Sequence, residues 1–176
     1  MSAAYRYAAA LLAAASLSLL AVPAGTTPAS ARGEVVPYRA DTAPGTIVVR
    51  TGERRLYLVL GQGRALVYPV GVGRAGRQWS GGAMIDSKRI RPAWAPPPDI
   101  KRDNPRLPDV IAGGAPNNPM GAAALTLSGG EYAIHGTNKP SSIGGFVSYG
   151  CIRMYNADIT DLYDRVSVGT PVIVTR

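Results

Sequence analysis

The sequence predicts a mainly β domain with short helices and a long loop-rich cover. Three observations carry that reading: short β-branched segments parted by glycine turns, a single stretch with helical periodicity, and a central run of about fifty residues dominated by Gly, Pro, Asn and Asp. Of 176 residues, 21 are Gly and 15 are Pro, which is turn-rich yet below the share of a disordered chain. Hydrophobic residues at 46% can build a core, while charged residues at 17% are too few for a coiled coil or an acidic tail. One compact domain is expected, and a collagen, a disulfide miniprotein and a multidomain assembly are excluded.

Residues 1–31 are read as a signal peptide. Arg6 is the one charge before an uncharged stretch from Ala8 to Val22, a length that suits a signal core and is short for a bilayer span. Pro23 breaks that helix, and Ala29-Ser30-Ala31 fits the small-x-small rule for cleavage after Ala31. An uncleaved membrane anchor is the alternative. No Cys lies near the cleavage site, which argues against a lipoprotein. Residues 32–45 are expected to form a short linker and 46–176 the folded domain.

Within that domain, Thr46–Arg50, Arg54–Leu60 and Arg64–Val70 read as strands, the last two joined by Gly61-Gln62-Gly63 as a three-residue hairpin loop. From Gly71 to Gly121 the pattern dissolves into turn residues around Trp79 and Trp94, so this stretch is expected to cover a cleft. Strands return at Ala122–Leu127 and Glu131–His135, with Ser128-Gly129-Gly130 as a second hairpin turn. Asn156 can cap a short helix in which Ile159, Leu162, Tyr163 and Val166 fall on one face. Gly169 stops it, and Pro171–Val174 is a strand that can complete the sheet.

Without Arg6 the chain holds 18 basic and 11 acidic residues, a net charge of +7. That balance favours anionic partners: a carboxylate-bearing wall polymer, anionic headgroups or nucleic acid. The basic residues are scattered, with no run dense enough for a nucleic-acid arm, and most read as solvated surface.

The chemistry concentrates in residues 131–156. The one histidine, His135, ends a predicted strand, and the one cysteine, Cys151, follows a glycine-rich bend sixteen positions later. A lone Cys in an exported chain has no disulfide partner. A thiol is mostly protonated at neutral pH, so a nucleophilic Cys needs a base or a positive charge nearby. His135 is the available imidazole, Arg153 can add a positive field, and Gly150 leaves backbone N–H groups free for an oxyanion. That describes a Cys/His pair for acyl transfer, weighed against a core histidine with an inert thiol. No metal is expected, since one His and one Cys fall short of the three or four ligands zinc takes.

At these residues the chain resembles the L,D-transpeptidase (YkuD-type) catalytic domain family of bacterial cell-wall enzymes. The matching strings are IHGTN, PSSIG, S-x-GCIRM, N-x-D-I-x-D-L-Y and VGTPV, with weaker matches in RLYLV, YPVGVGR, PAW and GGAPNNPMGAAALTL. The resemblance implies a β-sandwich-like L,D-transpeptidase catalytic domain in the periplasm, peripheral to the cell wall, with no cofactor. It implies that Cys151 attacks the diaminopimelate–D-Ala bond of a tetrapeptide stem of peptidoglycan and forms a thioester. The acyl group then passes to an amine, either another stem, giving a 3→3 cross-link, or a lipoprotein lysine; water or a D-amino acid can substitute. His135 would be the base, oriented by the Gly136 carbonyl, with the Gly150 and Cys151 N–H groups as oxyanion hole. Arg153 would steady the loop or bind a substrate carboxylate, Ser148 and Asn156 would hydrogen-bond across it, and Tyr132 and Tyr149 would line the donor groove. Simple helix capping stays open for Asn156, and a core position for Tyr132.

Two departures from the family pattern stand out. Tyr149 replaces the histidine of the usual S-H-G-C, and the upstream T-P-x-G stretch is replaced by Trp79-Ser80-Gly81-Gly82. Three readings follow: a transpeptidase or an L,D-carboxypeptidase acting on the same bond, a catalytically weak wall-binding homologue, and, on generic grounds, a thiol redox or metal protein.

Overall fold

The computed structural model describes residues 33–39, 41–129 and 132–176. The expected signal peptide and its cleavage site lie outside the described residues. The opening meander forms as expected from β2 (Ile47–Arg50), β3 (Arg55–Gly61) and β4 (Arg64–Pro69), antiparallel in turn. Alternation along these strands sends Ile47, Val49, Leu56, Leu58, Leu66 and Tyr68 into the main core, and Val48, Val59 and Ala65 into a smaller cluster on the opposite face with Tyr38. The β3–β4 turn is tighter than the three-residue loop expected. Gly61 still pairs with Arg64, so the loop is Gln62-Gly63, at φ 53° and 69°. Two positive φ values give the turn whose twist suits a hairpin, and a register shift between Val59 and Gly61 absorbs the extra residue.

Two expectations need correction. The 32–45 linker is not free of the domain: β1 (Glu34–Pro37) pairs antiparallel with β4 at the sheet edge, and Tyr38 is buried behind it. Its side chains are largely exposed, so the strand left no alternating signature. The stretch from Gly71 to Gly121 is not structureless either. It contains β5 (Val72–Gly73), the ten-residue β6 (Gly81–Ile90) and the six-residue helix α1 (Pro98–Asp103). Two glycines and three charges, with only Ile85 buried, hid β6 from periodicity. Pairing makes it a strand: Gly81–Met84 pair with β11 (Pro171–Thr175), and Ile85–Ile90 with β7 (Ala123–Leu127). β6 thereby carries the sheet from one half of the domain to the other.

The remaining elements are β8 (Ala133–His135), β9 (Phe146–Ser148), β10 (Ile152–Arg153) and helix α2 (Asn156–Arg165). Nine strands form one sheet in the order β1-β4-β3-β2-β11-β6-β7-β8-β10, and β5 and β9 make a small parallel pair beside it. The closing strand β11 lies in the interior of the sheet, parallel to β2 and antiparallel to β6. Helix α2 buries Ile159 and Leu162 in the core that β3, β4, β7 and β8 share, as the helical stripe predicts. Each such burial is worth about 2 kcal/mol. The Tyr68 hydroxyl, buried in β4, donates to Asp161 of the same helix at 2.6 Å.

One carboxylate in α2 works against the fold. Asp158 is 2% exposed, and burial, followed by the nearby Asp161 charge, pushes its pKa up to about 6. Its unfolded value is about 3.9. The folded state therefore binds this proton more tightly, and the stability the group contributes is lost as pH rises from about 4 to about 6. Asp158→Asn should raise the melting temperature at pH 7.5 by about 2–4 °C, and the gain should disappear at pH 3.5. Calorimetry at the two pH values checks this; an equal shift at both would refute it.

Candidate active site

The site is built on the pairing of β8 with β10. These strands run parallel, with Ile134 opposite Ile152 and His135 opposite Arg153. Both isoleucines point into the core, so alternation places His135 and Arg153 on the other face, and Cys151, two residues before Arg153, on that same face. Continuing the register sets Cys151 beside Ala133, whose backbone favours the thiolate. His135 and Cys151 are then diagonal neighbours, roughly 8 Å apart at Cα from strand spacing and rise, a gap their side chains can span. No hydrogen bond joins the two side chains directly. The Arg153 charge acts on both groups, lowering the pKa of each.

His135 is 4% exposed. Its Nδ1 lies 2.6 Å from the carbonyl oxygen of Gly136, as expected. A carbonyl only accepts, so neutral His135 carries its proton on Nδ1, and Nε2 is the unprotonated nitrogen. Burial, helped by the Arg153 charge, pushes its pKa down to about 4, against the opposing pull of the Gly136 and Pro119 carbonyls. The imidazole is therefore neutral at physiological pH. Burial pushes the Cys151 thiol up, while the Ala133 backbone and Arg153 pull it down less strongly. At rest the pair is neutral thiol and neutral imidazole, not an ion pair.

The bend that carries Cys151 is fixed at nearly every polar group. Ser148 Oγ donates to the Cys151 carbonyl at 2.6 Å and accepts from the Gly150 N–H at 3.1 Å. Trp79 Nε1 donates to the Gly150 carbonyl at 3.0 Å, and its ring stacks on Tyr132 with centroids 4.9 Å apart and planes 8° off parallel. Gly150 adopts φ 126°, and a Cβ there would lie 2.2 Å from the Tyr132 ring, so only glycine fits. These bonds correct one expectation. The Gly150 N–H is committed to Ser148, so it is not free for an oxyanion, whereas the Cys151 N–H makes no hydrogen bond among the described residues.

Asn156 differs from the capping role left open for it. The cap position falls on Tyr155, with no side-chain capping bond. Instead the Asn156 Oδ1 accepts from the N–H groups of Ala122 and Thr137, and Nδ2 donates to the Thr137 carbonyl, each at 3.0 Å. One amide thus ties the segment after His135 to the start of β7 and to α2. A Cβ at Gly136 would lie 2.3 Å from that Oδ1.

Arg153 does not steady the loop through its side chain. Its backbone bridges to Gly71 on one side and to β8 on the other, but Nε is buried without a hydrogen-bond partner and no carboxylate among the described residues pairs with it. The Tyr149 hydroxyl donates to Asp103, the last residue of α1, at 2.6 Å. Tyr132, Tyr149 and Cys151 line one cavity of about 410 Å³ with Arg77 and Pro97–Ile100. The cover predicted from composition is therefore present, in the form of α1. Sequence reasoning missed Trp79, Arg77 and Asp103. Trp79 was legible as a lone aromatic in a glycine-rich stretch; Asp103 carried no signal.

Residues 44–174 match the L,D-transpeptidase catalytic domain family, YkuD. The chain belongs to that family. It is 41% identical over 141 residues to the probable L,D-transpeptidase ErfK/SrfK of Escherichia coli, covering 75% of this chain and 44% of that relative. The chain spans less than half of that relative's length. Among solved structures, an L,D-transpeptidase from Mycobacterium smegmatis aligns with a TM-score of 0.59 at 20% identity, over 74% of this chain and 58% of that one. The catalytic domain of the E. faecium L,D-transpeptidase, solved acylated by ertapenem, aligns with a TM-score of 0.56 at 18% identity, over 74% of this chain and 95% of that one. At these identities the structural likeness concerns the fold, and it agrees with the mainly β architecture expected.

The charge on Arg153 makes a prediction about the thiol. Iodoacetamide should alkylate Cys151 with a pH midpoint above the ~8.5 of a free thiol, and Arg153→Gln should move that midpoint higher still, since a positive charge favouring thiolate is removed. Rates measured from pH 6 to 11 check this, and a midpoint lowered by the substitution would refute it.

Proposed function

We propose that the chain is an exported, periplasmic cysteine acyltransferase that remodels peptidoglycan, acting on the diaminopimelate–D-Ala bond of a tetrapeptide stem. The observation that carries this reading is the pinned tautomer of His135, whose unprotonated Nε2 shares a sheet face with the Cys151 thiol. Because both groups are uncharged at rest, attack and proton transfer are coupled. Sulfur bonds to the scissile carbonyl carbon as its proton passes to Nε2, and the Cys151 N–H meets the oxyanion. When the C–N bond breaks, imidazolium returns the proton to the leaving D-Ala amine and a thioester remains. An acceptor amine then attacks the thioester, His135 takes its proton, and the sulfur leaves as thiol. Arg153, half-buried with its Nε unpartnered, is available to a substrate carboxylate on the same face. A stem amine gives a 3→3 cross-link, a lipoprotein lysine gives an anchored protein, and water gives L,D-carboxypeptidase activity.

A thiol activated in this way should be acylated by a β-lactam, as the E. faecium L,D-transpeptidase is by ertapenem. Ertapenem should add one drug mass to the wild-type protein and none to Cys151→Ala. His135→Gln should slow acylation at least ~10²-fold at pH 7. Intact mass spectrometry reads both; an adduct on Cys151→Ala, or none on the wild type, refutes the assignment. Products from tetrapeptide-containing wall fragments then separate cross-linking from hydrolysis.

A further inference from the structure

The cover over Cys151 is held in an unusual way. Helix α1 has no fully buried residue, and Ile100 is only half-buried against the cavity, so apolar packing of its own side chains does little to fasten it down. What links it to the catalytic bend is polar. Arg77 Nη1 meets Asp99 Oδ2 at 2.7 Å, Arg74 Nη2 meets Asp103 Oδ2 at 3.1 Å, and the Tyr149 hydroxyl donates to that same Asp103 oxygen. Both guanidinium groups also lie over the Tyr149 ring, at 4.0 Å for Arg74 and 5.3 Å for Arg77.

The receiving half of this latch is rigid. Arg74 and Arg77 are the ends of one turn, closed by the Arg77 N–H on the Arg74 carbonyl, and the Arg74 N–H donates to the Ser148 carbonyl. Two arginines and a phenol hydroxyl thus converge beside the bend that leads to Cys151, and Arg77 and Tyr149 line the same cavity as the thiol. The other half is a pair of side-chain carboxylates on a short, surface-lying helix. Solvent-exposed ion pairs of this kind are weak and screened by salt.

We propose that Arg74, Arg77 and Tyr149 form a second carboxylate-recognition site, and that Asp99 and Asp103 occupy it as built-in stand-ins until a peptide bearing free carboxylates displaces them. The inference rests on the peptide-substrate reading above and names what recognises the substrate at a distance from the scissile bond. The exchange replaces carboxylate by carboxylate, so little is lost as the cover lifts, and a neutral peptide cannot make it. Tyr149, which stands where the family usually has histidine, is assigned to this site and not to proton transfer. Arg153 would read a carboxylate near the sulfur, and the Arg74–Arg77 pair one further along the groove.

Peptide binding to Cys151→Ala tests the proposal without requiring turnover. Calorimetry would compare the tetrapeptide stem with the same peptide amidated at its carboxyl groups. Asp99→Asn with Asp103→Asn, added to Cys151→Ala, should tighten binding of the acid form at least fivefold by emptying the site. Arg74→Gln with Arg77→Gln should weaken the acid form at least fivefold and leave the amide form within twofold. In the thiol-containing protein, the aspartate double variant should speed iodoacetamide alkylation of Cys151, as should 0.5 M NaCl. Equal loss of acid and amide binding in the arginine variant, unchanged affinity in the aspartate variant, or no binding of either peptide overturns the inference. Failure of the enzymatic reading shows itself separately, as an absent ertapenem adduct.

Discussion

Two hydrogen-bonded residue pairs between β8 and β10 decide what this domain can do. Their parallel register sets one histidine against one arginine and brings the lone cysteine to the next position on the same face. A slip of β10 by one residue against β8 would turn Cys151 and Arg153 to the face opposite His135. Much of the surrounding structure can be understood as enforcement of that register. Gly71 bridges Arg153 from the far side, the Met154 N–H reaches the His135 carbonyl, and Asn156 ties the chain just beyond β8 to the helix just beyond β10.

Burial then sets the chemistry. Removing water from His135 and Cys151 disfavours the charged form of each, so the two groups rest as neutral partners although a guanidinium stands beside them. The site holds positive charge that no carboxylate among the described residues neutralises, in a chain whose basic residues outnumber its acidic ones. Such a cleft favours an anionic peptide before any specific contact is made. The arginines here are placed differently: Arg153 is half-buried and fixed by its backbone, whereas Arg74 and Arg77 lie nearer the surface and pair with carboxylates of α1.

The sequence made some of this legible and not the rest, for physical reasons. Strands that alternate between core and solvent or build a two-faced core, such as β3 and β7, announced themselves, and so did the Ile159–Leu162 stripe of α2. The strand β6 did not, because its existence depends on two partners distant in the chain and hardly on its own side chains. β1 escaped for a similar reason, as an edge strand with little to bury. His135, Cys151 and the Gly136 carbonyl were readable because each is singular in type or adjacent in sequence. The true bonding of Gly150, Asn156 and Tyr149 was not, since each depends on what the fold brings up from elsewhere: a serine hydroxyl, two loop amides and an aspartate 46 residues away.

The raised pKa of the Cys151 thiol has one more effect. Peroxide and disulfides react with thiolate, and scarcely with a protonated thiol. A cysteine without a partner would otherwise be short-lived wherever oxidants circulate. Keeping the proton on sulfur preserves the group, so the same desolvation that disfavours its thiolate also gives it a long chemical lifetime.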